Sequence, residues 1–274
     1  MKKNFVLIML LAITITSTAQ QDSVATQPLQ LNSIEEIKLL STLWQQNAAE
    51  YRALCYQAFN TAKLQLDKIP KKKFRKGNIA IITDLDETIL DNSWEEAQLI
   101  KDNISWSPHV WKQWTDLSSA TAVPGAVEFL QYAKQKGASI FYISNRGINE
   151  VASTIINLKK LHLPDADTSH TLFLSTTSSK ETRRQTVMSQ HNVVMLLGDN
   201  LADFAKAFEG GSSNDRFAVA DSVKNEWGNK FIVLPNTTYG EWENALYYGR
   251  KGLTPAEKLN LLRSLLKDES AVKQ

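Results

Sequence analysis

Between Asn78 and Leu234 the chain repeats one alternation: a short β-branched apolar run, then a stretch with apolar residues three and four apart. The apolar runs fall at Asn78–Thr83, Ser139–Ser144, Thr171–Ser175, Val193–Leu197 and Phe231–Leu234. Continuous runs of this kind are strands buried on both faces. Helical spacing lies between them, over Pro124–Lys136, Asn149–Lys160, Glu181–His191 and Ala202–Phe208. Strands alternating with helices predict an α/β fold with a Rossmann-like parallel sheet and right-handed crossovers. Ligands of such sheets sit beyond the carboxyl ends of the strands.

Other segments break the alternation. Ile34, Ile37, Leu40, Leu43 and Trp44 recur at helical spacing, with Ser33 and Glu36 placed as a capping box. A second helix is expected over Ala48–Leu66, ending before Pro70. Residues 241–268 also read as helical. The expected organisation is a leader and helices over 20–75, an α/β core over 76–240, and C-terminal helices over 241–274. The two helical segments would pack together as a smaller domain. Residues 92–122 are rich in tryptophan and poor in strand signals, which predicts an insertion over the site.

The first residues carry a different signal. Lys2 and Lys3 precede the apolar run Phe5–Ile15, and Ser17-Thr18-Ala19 offers small residues for cleavage. That is the layout of a secretory signal peptide over residues 1–19, cleaved near Ala19. An uncleaved anchor is the alternative, but the run is shorter than the ~20 residues needed to cross a bilayer. A periplasmic or secreted protein with no stable membrane anchor is expected.

Charge then changes little. Two of the 31 basic residues lie in the signal, leaving 29 against 29 acidic ones. A neutral mature protein has no global field to draw in a nucleic-acid polymer. The run Lys71-Lys72-Lys73-Phe74-Arg75-Lys76 reads as a solvated linker into the first strand. Cys55 is the single cysteine, so it has no intramolecular disulfide partner, and its helical setting marks a small buried apolar residue. His109, His162, His170 and His191 show no metal-ligand spacing.

Polar residues cluster where the strands end. Asp84 and Asp86 follow the first strand directly. A carboxylate nucleophile can take a phosphoryl group and split one hard displacement into two easier ones. A second carboxyl two residues on can protonate the leaving alcohol and then deprotonate the attacking water. One aspartate there would be ordinary turn chemistry; Asp-x-Asp-x-Thr after a buried strand is a specific signal. Protonation of Asp86 favours mild acidity.

Asp199 and Asp203 follow the fourth run. Each could simply cap the next helix. Beside Asp84 they become candidate metal ligands, because Mg2+ takes oxygen donors and keeps several waters. Carboxylates from Asp84 and Asp199, with waters ordered by Asp203, would suit it. Ser144-Asn145-Arg146 ends the second strand, where a hydroxyl and backbone N–H groups can hold phosphate oxygens. Lys180 opens the helix after the third strand, where an ammonium would offset phosphate charge.

This order of motifs resembles the haloacid dehalogenase superfamily of phosphotransferases. The nine residues Asp84–Asn92 (DLDETILDN) and the ten residues Leu234–Glu243 (LPNTTYGEWE) narrow the resemblance to the class C acid phosphatases, the lipoprotein e-type 5′-nucleotidases. It runs from about Ser33 to the carboxyl terminus. The resemblance implies Asp84 as nucleophile and Mg2+ ligand, and Asp86 as general acid/base with its backbone carbonyl on the metal. It also implies Asp199 as the third ligand, with Asp203 acting through water. Ser144, Asn145 and Lys180 would hold the phosphoryl group, and Thr88 would steady the nucleophile loop. Lipoprotein members carry a lipidation cysteine after the signal; this chain has none there.

Aromatic residues bear on the substrate. Trp94, Trp106, Trp111 and Trp114 crowd the insertion, and Tyr239 and Trp242 lie downstream. A nucleobase can stack on such rings, and the family grips nucleoside monophosphates in this way. Trp94 and Tyr239 are the expected pair. The expectation is a Mg2+-dependent phosphomonoesterase acting on a small-molecule phosphomonoester. Its alternative is a catalytically silent nucleotide- or phosphate-binding protein. A homodimer is compatible with the sequence.

Overall fold

The strands, in chain order, are β1 (Ile79–Thr83), β2 (Leu90–Asp91), β3 (Thr121–Ala122), β4 (Ser139–Gly147), β5 (Thr171–Leu174), β6 (Asn192–Gly198) and β7 (Phe231–Val233). Five of them form one parallel sheet in the order β5-β4-β1-β6-β7; β2 and β3 pair separately and antiparallel. All five residues of β1 are buried, which is what its unbroken apolar run demands of a central strand. The chain leaves β1 towards β4 on one side and returns to β6 on the other. That reversal opens a crevice at the carboxyl end of β1.

The computed structural model describes residues 34–74 and 78–269. The expected signal peptide and leader, Ser33 of the expected capping box, Arg75 and Lys76 lie outside the described residues. Helices α1 (Leu39–Asn47), α2 (Ala49–Asp67) and α3 (Lys71–Phe74) precede the sheet. Lys71, Lys72 and Lys73 are exposed and Phe74 is buried. Helices α4 (Ser93–Asp102) and α5 (Pro108–Leu117) form the insertion, followed by α6 (Ala126–Gln135), α7 (Val151–Lys160), α8 (Glu181–Gln190), α9 (Ser213–Ser222), α10 (Glu241–Leu246) and α11 (Pro255–Leu265).

The helix expected over Ala202–Phe208 is instead two 3-10 turns, Leu201–Asp203 and Lys206–Phe208. Asn200 and Asp203 form a capping box that closes the first turn: the Asn200 N–H donates to Asp203 Oδ2 and the Ala202 N–H to Asn200 Oδ1.

The amino-terminal helices pack against the sheet domain on one side and against the C-terminal helices on the other. Helix α2 turns Tyr51, Cys55, Phe59, Ala62 and Leu66 inward and packs on α6 and β7. Phe59 is 3 % exposed, so Phe59→Ala would cost about 3–5 kcal/mol. At the other end, Trp242, Leu246, Tyr247, Lys258 and Leu262 face Ile37, Lys38 and Ser41 across a shared crevice. All described residues fall in one compact unit.

Candidate active site

Leu85, Ile89 and Leu90 are fully buried and anchor the loop that follows β1. Backbone N–H groups of Ile89 and Leu90 both donate to Leu85 O at 2.8 Å. Glu87, between the anchors, takes a left-handed φ of 56°. Its buried carboxylate offsets that strain by accepting from the Asn92 N–H at 3.0 Å and from the Tyr239 hydroxyl. Burial, reinforced by Asp86, pushes the Glu87 carboxyl well above its usual range. The apolar residues of the motif thus hold the backbone while Asp84 and Asp86 are presented at the crevice.

Asp84 is fixed by its own N–H, which donates to Leu197 O of β6 at 3.0 Å. The Lys180 ammonium stands 2.5 Å from Asp84 Oδ1 and 2.6 Å from Asp203 Oδ1. Burial would lower Lys180, but Asp203 and Asp84 outweigh it and hold it charged. Burial also pushes Asp84 well up, helped by Asp203 and opposed by Lys180. Asp199 accepts from Thr88 Oγ1 at 3.0 Å on Oδ1 and from Asn236 Nδ2 at 2.8 Å on Oδ2. Arg184, 1 % exposed, donates to Ala202 O and Asp203 O and so braces the loop that carries both acids.

Asp84, Asp199 and Asp203 each offer an oxygen within 4.8 Å of the others. Among the described residues, the buried Asp84 and Asp203 and the half-buried Asp199 face one ammonium, that of Lys180, an imbalance of the kind that a hard divalent cation relieves. The all-oxygen donor set fits such an ion.

Asp86 is held differently. Arg146 Nη2 and Nε reach Asp86 Oδ1 at 2.7 and 3.0 Å, and Asn92 Nδ2 adds a bond at 2.9 Å. Ser144 Oγ donates to Asp86 Oδ2 at 3.3 Å and accepts from the Arg146 N–H at 3.0 Å. Arg183, from α8, ties down the same strand end through Ser144 O and Asn145 Oδ1, both at 2.6 Å.

A cavity of about 680 Å3 opens over these groups. Asp84, Asp86, Asn145, Lys180, Asp199, Asp203 and Tyr239 line it. Thr88 and Ser144 are fully buried beneath it, their hydroxyls spent on Asp199 and Asp86. Trp94 lies outside the lining and is 59 % exposed on the first turn of α4. Trp106 and Trp111 of the same insertion line the cavity instead. Arg146, Glu87, Asn92, Asn236, Arg183 and Arg184 were not singled out for these roles by sequence. The one signal available was a charged residue ending a strand buried on both faces, which marks Arg146.

Together these features define a class: a parallel-sheet protein with a buried carboxylate at the sheet's reversal point, a lysine against it, a second acid two residues on and a carboxylate cluster able to hold a cation beside it. Residues 6–242 match the family model of the HAD superfamily, subfamily IIIB (acid phosphatase), and the chain belongs to that family. It is similar to the class C acid phosphatase from Bacillus anthracis, at 39% identity and a TM-score of 0.79, over 86% of this chain and 98% of that one. The structure of that class C acid phosphatase with tungstate bound matches equally, over 86% and 99% of the two chains. The chain is accordingly a phosphomonoesterase.

Proposed function

We propose that this phosphomonoesterase acts outside the cytoplasm on nucleoside 5′-monophosphates, with Mg2+ and an aspartyl-phosphate at Asp84. The observation that carries the reading is the Lys180 ammonium 2.5 Å from Asp84 Oδ1, in a cavity that also holds Asp86 and three aromatic rings. A carboxylate oxygen of Asp84 attacks phosphorus as the bond to the leaving oxygen breaks, and Asp86 gives that oxygen a proton. Water then attacks the same phosphorus, Asp86 recovers a proton from it, and inorganic phosphate leaves with Asp84 restored. Lys180 and Asn145 hold the phosphoryl oxygens through both steps, while Thr88 keeps Asp199 in place. Asp84, Asp199 and the Asp86 carbonyl, with Asp203 behind them, would hold Mg2+, which when bound would supply charge neutralisation at the phosphoryl oxygens.

Trp106, Trp111 and Tyr239 support the nucleotide preference, because they put flat rings within one cavity as the phosphate-handling groups. Lys2, Lys3, the apolar run to Ile15 and the small residues to Ala19 support export. Among the described residues no helix is long and apolar enough to cross a membrane.

The test is phosphate release from a panel including adenosine monophosphate and an aryl phosphate, with Mg2+ or chelator, for wild type and Asp84→Asn. Magnesium-dependent turnover lost in the variant is expected. Turnover surviving Asp84→Asn would remove the nucleophile, and aryl phosphate far outranking the nucleotide in kcat/KM would remove the substrate class. Amino-terminal sequencing of the exported protein tests cleavage after Ala19.

A further inference from the structure

Arg146 is a buried cation whose hydrogen-bonded carboxylate is Asp86. Its side chain is 1 % exposed, against 17 % for Asp86. Nε donates to both Asp86 oxygens, at 3.0 Å to Oδ1 and 3.2 Å to Oδ2, while Nη2 reaches Oδ1 at 2.7 Å. Nη1 points the other way and donates to Thr154 Oγ1 of α7 at 3.0 Å. The Trp111 ring, part of the cavity wall, covers the guanidinium with its centroid 5.5 Å from Cζ. A planar fork anchored at one end and covered on one face fixes both the place and the rotation of the carboxyl it holds.

The two Asp86 oxygens are unequally served. Oδ1 receives three close donors, from Arg146 Nε, Arg146 Nη2 and Asn92 Nδ2. Oδ2 receives only the longer contacts from Ser144 Oγ and Arg146 Nε, at 3.3 and 3.2 Å. Oδ1 is saturated, and the remaining capacity lies on Oδ2.

We propose that Arg146 is a positioning residue for the leaving-group step: it fixes the Asp86 carboxyl so that Oδ2 meets the departing oxygen. The proposal rests on the reading of Asp86 as general acid. In that step the phosphorus–oxygen bond of the ester breaks, the bond to Asp84 forms, and one proton passes from Asp86 Oδ2 to the departing oxygen. Arg146 then matters in proportion to how badly the leaving group needs that proton. A nucleoside alkoxide needs it; 4-nitrophenolate, stable as the anion, does not.

The experiment compares adenosine monophosphate with 4-nitrophenyl phosphate. Arg146→Lys keeps the charge and loses the fork. Its kcat on the nucleotide should fall about 100-fold, with less than ~5-fold loss on the aryl ester and KM nearly unchanged on both. Thr154→Val removes only the anchor and should give the same split on a smaller scale, about 5-fold; it decides the matter if Arg146→Lys does not fold. In an Asp86→Asn background, adding Arg146→Lys should cost no more than about twofold, because the two act as one unit. Equal losses on both esters, or a full further loss in the Asp86→Asn background, would overturn the proposal. Failure of the underlying reading looks different: Asp86→Asn would then hydrolyse the two esters in the wild-type ratio.

Discussion

A side-chain carbon added to Gly198 would stand 2.5 Å from both Cβ and Oδ2 of Asp203. No real contact is that short, so β6 ends in glycine because the acid five residues on folds back against it. Asp203 is also pinned through Oδ1 to Lys180 and through Oδ2 to the Asn200 N–H, and so has nowhere to retreat. Gly198→Ala should therefore displace Asp203 while leaving the strand paired. The expected result is a 10–100-fold loss of divalent-cation affinity, the range found when groups supporting a metal site are disturbed. Overpacking should also cost about 1–3 kcal/mol of stability. Titration of activity against Mg2+ reads the first effect; an unchanged half-saturation point would show that Asp203 has no part in holding the ion.

Among the described residues, Lys180 supplies the ammonium paired with both Asp84 and Asp203. Lys180→Met leaves those carboxylates and nearby Asp199 buried without it. Breaking a buried pair from one side costs about 3–5 kcal/mol. The loss should be largest in chelator and smaller with excess Mg2+, because binding to the folded state adds back stability. Thermal unfolding of both proteins with and without chelator checks this; an equal deficit in the two conditions would separate Lys180 from the cation site. Turnover should be lost in both conditions.

Much of this site can be read from the sequence because parallel strands announce themselves and their ends are where polar residues collect. The run before Asp84 is buried at every residue of β1, and Asp84, Asp86, Lys180, Asp199 and Asp203 all reach one cavity. What the sequence withheld are pairings across long stretches of chain. Arg146 finds Asp86 sixty residues away, and Tyr239 finds Glu87 at a separation of 152. Neither has a local spacing that could reveal it. The same limit applies to Ser144 and Thr88, whose hydroxyl partners Asp86 and Asp199 lie 58 and 111 residues away in the chain. Trp94 and Trp106 are alike as letters, and only packing of the insertion puts one outside the cavity and the other in its wall.

Asp199 gives the site a pH dependence with a definite sign. Burial, reinforced by Asp203 and offset by Asn236 and Lys180, lifts its carboxyl from 3.8 to about 6. The folded chain then holds this proton more tightly than the unfolded chain. The resulting stability is full below about 3.8 and is lost as the pH rises through about 6. In chelator, the unfolding temperature should fall across that window, and Asp199→Asn should flatten the slope. Cation binding must displace the same proton, so affinity should weaken on acidification, by about tenfold per unit below pH ~6. A flat profile in chelator would rule out the buried protonated form.

The aromatic wall makes the last prediction. Trp106 and Trp94 are both exposed, but Trp106 lines the cavity and Trp94 lies outside it. Stacking a base on an aromatic ring is worth about 1–3 kcal/mol. Trp106→Ala should raise KM for adenosine monophosphate about tenfold while leaving kcat, and KM for a small alkyl phosphate, within twofold. Trp94→Ala should leave both substrates within twofold. Tyr239→Phe keeps the ring but takes the hydroxyl from Glu87, a buried carboxylate that then retains only its Asn92 donors. That should cost about 1–3 kcal/mol of stability and raise the nucleotide KM less than Trp106→Ala does. Steady-state kinetics on the two substrates separate these outcomes. A KM rise for Trp94→Ala alone would place the base at Trp94, outside the cavity wall.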